Sequence, residues 1–210
     1  MAISVSALAQ YPRFSIATDL GLVRNFGKQQ QFTALNNTMH GDFHLSAGNG
    51  IRISFGYCSN GKFDNTVTAL AKSSSISPQQ QVYSNRGNMR FRQLTLGWKH
   101  YFIGEPISEK GWNLYGEAGF GLMMGRITNT PGRTIDTSRY TLPLQSGKAN
   151  FKRLSYDLSI GWEKPVGADF FLYAEGRVYI PNTAYPSEYI LVNEHAPLAG
   201  ILCGGVRILF

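Results

Sequence analysis

Residues 153–163 read Arg-Leu-Ser-Tyr-Asp-Leu-Ser-Ile-Gly-Trp-Glu, in which polar and apolar side chains alternate. Because successive side chains of a β-strand point to opposite faces, this period of two predicts a strand with one apolar and one polar face. The polar face carries charges of both signs, at Arg153, Asp157 and Glu163. We therefore expect a strand that separates an apolar environment from one in which charges meet water or each other.

The same alternation recurs along the chain and predicts eight strands. Short turns near 47–50, 103–111 and 165–169 alternate with long stretches near 59–88, 126–152 and 181–197, with an intermediate connection near 25–31. Short periplasmic turns and longer outer loops are typical of membrane barrels. Met89 and Phe91 are out of step with Leu94, so we expect a β-bulge near Arg92-Gln93. The predicted apolar faces run over Phe14–Leu22, Leu35–Leu45, Ile51–Tyr57, Leu94–Trp98, Trp112–Met124, Leu154–Trp162, Phe170–Ile180 and Leu202–Phe210.

Composition supports a membrane barrel. The chain has 210 residues, 13% of them aromatic, and its 16% of charged residues lies below the quarter or so usual in soluble domains. The longest apolar runs are only a few residues, too short for a membrane-spanning helix. The predicted fold class is all-β: a closed, antiparallel, up-and-down transmembrane β-barrel of eight strands. A soluble β-sandwich or a lipocalin-like barrel, which has the same pattern turned inside out, is the alternative.

Three features favour an outward-facing apolar side. The polar face carries balanced acids and bases, which suits a small lumen where charges must pair. All three tryptophans (Trp98, Trp112 and Trp162) lie on the apolar phase near a short turn, as expected for membrane-interface aromatics. The third feature is the C-terminal segment described next. The predicted lumen charge network consists of Arg13, Asp19, Asp42, Arg52, Lys99, Glu117, Arg153, Asp157, Glu163, Glu175, Arg177 and Arg207.

The chain ends in Val206-Arg-Ile208-Leu-Phe210. It thereby resembles outer-membrane β-barrel proteins, whose last strand ends in an aromatic residue preceded by apolar residues at alternating positions. The stretches at 96–102 and 111–122 are similar to small outer-membrane barrels of Bacteroidota, with an OmpA/OmpX-like architecture. The resemblance implies location in the bacterial outer membrane, and Val206, Ile208 and Phe210 as a signal read by the outer-membrane assembly machinery.

The N-terminus suggests processing. Ala7-Leu8-Ala9 is a small-x-small pattern, so we expect residues 1–9 to be the tail of an export signal peptide and 10–210 to form the barrel domain. A disordered leader is the alternative. Cys58 and Cys203 are predicted to point inward from strands that are not adjacent, so no disulfide is expected.

Candidate catalytic and metal-binding groups are sparse. His40, Asp42 and His44 share one strand face, but the two histidines would lie about 13 Å apart, too far to bind one ion. A hydrogen-bond network in the lumen is the better interpretation of these three residues, and we expect no metal and no cofactor. His195 lies beside Glu194, with Ser187 nearby, but the spacing does not indicate a catalytic triad. The protein is therefore predicted not to be an enzyme.

Positive charge is concentrated in one predicted outer region. The chain carries a net charge of +7, and between residues 126 and 152 the only acid is Asp136. Lipopolysaccharide phosphates are plausible partners through charge-assisted hydrogen bonds, whereas a solvated loop is the alternative. Nucleic acid is not expected as a partner. The lipopolysaccharide-contact candidates are Arg126, Arg133, Arg139, Lys148 and Lys152.

Eight strands enclose an interior just filled by side chains. The sequence thus predicts a barrel with a plugged polar lumen, acting as a structural or binding component. Its partners would be outer-membrane lipids, lipopolysaccharide, or another protein of an outer-membrane assembly. A lipid-modifying enzyme and a narrow channel for small solutes are the alternative functions.

Overall fold

The computed structural model describes residues 13–167, 169–184, 187–191 and 197–210. The predicted leader at residues 1–9 lies outside these ranges. Within them, no helix is long and apolar enough to cross a membrane. The strands are β1 (Arg13–Asn25), β2 (Phe32–His44), β3 (Asn49–Ala71), β4 (Gln80–Ile103), β5 (Asn113–Pro131), β6 (Tyr140–Thr141), β7 (Gly147–Gly167), β8 (Phe170–Pro181) and β9 (Ala199–Leu209).

Eight long strands form a closed antiparallel ring in the order β2-β1-β9-β8-β7-β5-β4-β3, which the β2–β3 pairing completes. The first and last strands meet at a seam, where Ser15 lies opposite Leu209. The two-residue strand β6 pairs only with the far end of β3, at Leu70 and Ala71. The predicted all-β, eight-stranded antiparallel barrel is confirmed.

The two ends of the barrel differ. The connections from β2 to β3, from β4 to β5 and from β7 to β8 lie at one end, the turn end, together with the start of β1 and the end of β9. The connections from β1 to β2, from β3 to β4, from β5 to β7 and from β8 to β9 lie at the other, the loop end. Both ends of the barrel-forming chain thus lie on the same side, as an even number of strands in an up-and-down barrel requires.

An apolar belt surrounds the half of the barrel nearer the turn end. On β7 the outward-facing residues Leu154, Tyr156, Leu158, Ile160 and Trp162 are all exposed. From the first to the last of these the strand advances about 26 Å, or about 20 Å along the axis of a tilted barrel. The belt thus has a height close to the apolar band of outer-membrane barrels, about 25 Å.

Two of the predicted long connections are largely strand. β3 continues to Ala71 and β4 begins at Gln80, so the predicted loop at 59–88 shrinks to 72–79. β5 continues to Pro131 and β7 begins at Gly147, so the predicted loop at 126–152 shrinks to 132–146. Both predicted loops are wrong over most of their length. The strands continue there, but the polar and apolar sides are reversed relative to the rest of the barrel. The outward positions become polar and the inward positions apolar.

Strand β4 shows the exchange most clearly. Met89 and Phe91 point inward and are buried, while Arg90 and Arg92 are exposed. The alternation of β4 is unbroken, so the bulge predicted near Arg92-Gln93 is wrong. The irregularity lies instead on β3, where the four residues from Cys58 to Gly61 lie opposite the three from Phe91 to Met89 on β4.

We call β3 60–71, β4 80–92, β5 124–131 and β7 147–152, with the connections 72–79 and 132–146, the outer extension. The rest of the barrel is the membrane half. The extension contains an apolar core of its own, because Val67, Ala69 and Tyr83 pack against Ile135, Tyr140 and Leu144 of the connection that folds over them. Burial of that core stabilises strands that project beyond the apolar belt.

Candidate functional site: a charged lumen and a basic outer surface

Arg52 occupies the centre of the lumen. Its side chain is 1% exposed, and its Nε atom donates to Asp42 at 2.6 Å. One terminal nitrogen donates to Glu175 at 2.8 Å and to Glu117 at 3.2 Å. These contacts join β2, β3, β5 and β8. A guanidinium is suited to this position because its planar fork offers several donors.

The network continues toward the turn end. Lys99 Nζ lies 3.0 Å from Asp42 and 3.8 Å from Glu163, and Arg207 lies 2.8 Å from Glu163. The ammonium of Lys99 also lies 3.9 Å from the centre of the Tyr115 ring. These groups extend the network to β4, β7 and β9.

Toward the loop end the network passes through Arg177. This residue forms ion pairs with Glu175 and Asp19, and Asp19 also accepts a hydrogen bond from Tyr173 at 2.9 Å. His40 Nε2 lies 2.9 Å from Asp19. With β1 included, one connected set of polar contacts touches all eight long strands.

The remaining predicted lumen residues have other partners. Asp157 is buried and accepts hydrogen bonds from Thr95, Gln93 and Ser155. Arg153 is buried and donates to the Thr183 carbonyl at 3.1 Å. Arg13 is only half-buried, at the start of β1, where its backbone lies opposite His44. The structure thus brings most of the predicted charged set together and leaves Arg13 at its edge.

Sequence reasoning missed the aromatic members of the network, and it predicted lumen hydrogen bonds for His40 and His44 without their partners. Tyr115 donates to Glu175 at 2.5 Å, and His40 bonds both Asp19 and Ser54. The signal was present, since strand phase places both on the polar face. His44 bonds Ser15 at 2.5 Å. Within the described ranges, no group of three possible ligands could hold a metal ion.

A cavity of about 10 Å³ lies at this level of the lumen among His40, Glu117 and Arg177, with room for about one water molecule. A second layer closes the barrel on its loop-end side, made of apolar side chains from all eight long strands. Its members include Val23, Phe32, Cys58, Phe63, Met89, Phe91, Met123, Ile127, Phe151, Tyr179, Ala199, Ile201 and Cys203.

Cys58 and Cys203 both lie inside the barrel as free thiols, as the sequence predicts. They belong to β3 and β9, which are not neighbours in the ring.

The predicted lipopolysaccharide contacts are not all in a loop. Arg126 lies on β5, and Lys148 and Lys152 lie on β7, all with exposed outward-facing side chains. Arg133 and Arg139 lie in the connection between β5 and β7, where Arg133 donates to the Val82 carbonyl at 2.7 Å. The interpretation of 126–152 as one basic loop is therefore wrong, because strand pairing continues to Asn129 and Gly147.

Asp136 is the one acid of that region in the sequence, and it lies in the connection between β5 and β6. Hydrogen bonds from the hydroxyl and backbone N–H of Ser138 lower its pKa. The carboxylate is therefore fully ionised at neutral pH, and its nearest partner is a neutral side chain.

Sequence reasoning also missed two cations on the outer surface. Arg90 and Arg92 are exposed on β4, and the strand register places Arg90 opposite Arg126. Their residue types gave a signal, but the assumed bulge hid their phase.

The membrane-interface residues lie on the outside. Trp98, Trp112 and Trp162 are exposed near the turn end, and the Trp98 indole donates to Asn49 at 3.2 Å. Phe210 is exposed as well, and its ring stacks on Phe14 at 6.2 Å between ring centres. Of the residues weighed for a triad, His195 and Glu194 lie outside the described residues.

The sequence matches no protein-family model and no curated protein. Solved structures do match. Neisserial surface protein A is 12% identical, with a TM-score of 0.57 over 94% of this chain and 97% of that protein. The outer-membrane protein OprG of Pseudomonas aeruginosa is 11% identical, with a TM-score of 0.53 over 95% and 96%. Ail of Yersinia pestis, solved with the heparin analogue sucrose octasulfate, is 11% identical, with a TM-score of 0.51 over 95% and 99%.

At such low identity these matches establish the fold, which is that of small eight-stranded outer-membrane β-barrels. The apolar belt adds a property of this chain itself, because an exposed apolar surface of that height must be covered by lipid. Closed antiparallel barrels spanning a membrane are an outer-membrane architecture. The protein is a bacterial outer-membrane β-barrel.

Proposed function

We propose that the protein is a non-enzymatic, non-conducting outer-membrane barrel that acts as a structural and binding component. Its outer surface contacts lipopolysaccharide or a partner protein of an outer-membrane assembly. The observation that carries the proposal is the ion-pair network that connects all eight long strands around Arg52. Buried ion pairs of this kind exclude a continuous column of water.

The apolar layer supports the same proposal. An ion that enters from the loop end would have to leave water among buried side chains such as Met89, Phe91 and Ile127, which is energetically costly. It would then meet the charged network, in which its passage requires existing ion pairs to separate. An ion would therefore have to pass both the apolar layer and the charged network, one after the other. For this reason a narrow channel is the less favoured function.

The proposal includes three further elements that rest on sequence. Val206, Ile208 and Phe210 are read by the outer-membrane assembly machinery, residues 1–9 are the tail of an export signal, and the barrel is of Bacteroidota type. The absence of enzymatic activity is proposed because the acids and bases of the lumen are engaged with one another and sealed from lipid substrates.

Conductance in planar bilayers tests the proposal. We expect no steady single-channel conductance from the unmodified protein. The double variant Glu117→Ala with Glu175→Ala leaves Arg52 without two of its three carboxylate partners, so the plug should loosen, the melting temperature should fall and ion leakage should rise.

The matched control is Glu105→Ala with Glu109→Ala, which removes the same charge from exposed positions of the turn end. It should behave as the unmodified protein does. A large, stable conductance of the unmodified protein would refute the plugged lumen and make the channel the leading hypothesis.

A further inference from the structure

Four cations lie together on the outer face of three adjacent strands. Arg90 on β4 is opposite Arg126 on β5, and Arg92 is opposite Met124, which in turn is opposite Lys152 on β7. All four charged side chains are exposed. They line one surface groove of about 440 Å³, together with Tyr57 and Asn150. We call Arg90, Arg92, Arg126 and Lys152 the basic patch.

The patch lacks compensating acids. Within the chain segments that the structure describes, no carboxylate forms an ion pair with any of its members, although Arg86 pairs with Asp64 farther out on β4 and β3. Like charges directly opposite each other on adjacent strands are destabilising. The Arg126 Nε atom donates to Asn150 at 2.9 Å, which fixes one edge of the guanidinium. A bound anion would relieve the repulsion.

The position of the patch identifies the kind of anion. The next outward-facing residues toward the turn end, on the same three strands, are Leu94, Leu122 and Leu154, which lie opposite one another. One step along the strands thus leads from cations to the apolar belt. Tyr57, opposite Arg92, is an aromatic side chain at the same boundary.

A ligand that binds both the leucines and the basic patch must place acyl chains on the leucines and anionic oxygens at the cations. Arginine is suited to phosphate because its fork forms paired, charge-assisted hydrogen bonds. From β4 to β7 the patch spans two strand spacings, about 10 Å, which accommodates more than one phosphate group.

We propose that the basic patch is a binding site for a phosphorylated lipid of the outer leaflet. Its phosphates bind Arg90, Arg92, Arg126 and Lys152, and its acyl chains lie on Leu94, Leu122 and Leu154. The inference rests on the proposed binding function. It assigns to that function a ligand class and a location on the outer face of β4, β5 and β7.

The test uses the full chain, purified in detergent and titrated with diphosphorylated lipid A, with affinity measured from the shift in melting temperature. The variant Arg92→Ala with Arg126→Ala and Lys152→Ala should lose at least tenfold in affinity. The control Arg24→Ala with Lys62→Ala and Arg86→Ala removes the same charge from exposed positions elsewhere and should stay within about twofold. Binding to the unmodified protein should weaken as salt rises.

Two further ligands separate the sources of phosphate. Dephosphorylated lipid A, with the same acyl chains, should bind the unmodified protein and the patch variant equally weakly. Inorganic phosphate alone should not reproduce the shift in melting temperature, and full competition by it would replace the lipid with a soluble anion and overturn the proposal.

The remaining outcomes separate the two proposals. If the unmodified protein binds diphosphorylated lipid A and the patch variant binds it as tightly, the assigned site is wrong while the binding function stands. An equal loss in the control variant would also overturn the site, since net charge alone would then explain the affinity. If the unmodified protein does not bind the lipid at all, both the lipopolysaccharide contact and the site fail.

Discussion

The membrane half and the outer extension are built from the same strands with opposite chemistry. On β4, Leu94 and Leu96 face outward below the boundary, while Gln93 and Thr95 face inward. Above it, Arg90 and Arg92 face outward while Met89 and Phe91 face inward. The backbone alternates without interruption through both regions. A period of two in hydropathy therefore reports a strand but not which side of it meets water.

The exchange has a simple physical cause. In the membrane half the outer face meets lipid, so the polar groups collect in the lumen and must pair there. In the extension the outer face meets water, so the apolar groups collect inside, as in a soluble protein. The contribution of a side chain to stability therefore depends on the region in which it lies. Making the same kind of substitution once in each region measures that difference.

The largest difference in unfolding free energy should lie between the loss of a buried ion pair in the lumen and the loss of an exposed ion pair on the extension. Arg52→Ala leaves Asp42 and Glu175 buried without their shared partner and should cost about 3–5 kcal/mol of unfolding free energy. Arg86→Ala breaks a pair whose side chains are 78% and 76% exposed, and should cost at most about 1 kcal/mol. Urea unfolding in phospholipid vesicles measures both. Equal losses would show that the lumen network is solvated.

A charge placed on the outer face should separate the regions next. Leu158 lies midway between Leu154 and Trp162 in the belt, so Leu158→Arg should cost about 2–4 kcal/mol of unfolding free energy. Thr66→Arg, outward-facing and exposed on the extension of β3, should change stability by less than about 0.5 kcal/mol. The same vesicle assay applies. A harmless Leu158→Arg would mean that the outer face of the membrane half does not meet lipid.

The smallest contrast comes from one methylene group. Ile127→Val in the apolar layer, where Ile127 is fully buried, should cost about 0.5–1.5 kcal/mol. Ile53→Val in the belt removes the same group from a side chain that is 46% exposed to lipid, and should cost clearly less. Thermal unfolding of both variants in one detergent checks the order. A reversed order would indicate that the apolar layer is loosely packed.

Much of the membrane half could be predicted from sequence. Alternation identified all eight long strands and their outward faces, as at Leu158 and Ile160, because one face there is consistently apolar. The extension could not be predicted in the same way. Its strands keep the period of two, but around Phe91 and Arg92 the apolar side changes from outward to inward. We interpreted that change as a bulge and loops, although it marks the membrane boundary.

The candidate site in the lumen could also be predicted better from the sequence than the one on the outer extension. The charged side chains of the lumen could be assigned from strand phase, but their partners could not, because the Arg52 contacts join strands far apart in sequence. The basic patch was only half predicted. Arg126 and Lys152 stood out by charge in a region poor in acids, whereas Arg90 and Arg92 required the pairing of β4 with β5.

The seam between β1 and β9 sets the time at which the barrel can form. Ser15 pairs with Leu209, so the ring closes between segments almost the whole chain apart. The other seven pairings of the ring join long strands that follow one another in the chain. Until β9 pairs with β1, both strands present open edges, which invite pairing with other chains. Closure between segments so far apart in sequence is intrinsically slow, and the unclosed sheet must be shielded from aggregation until the seam forms.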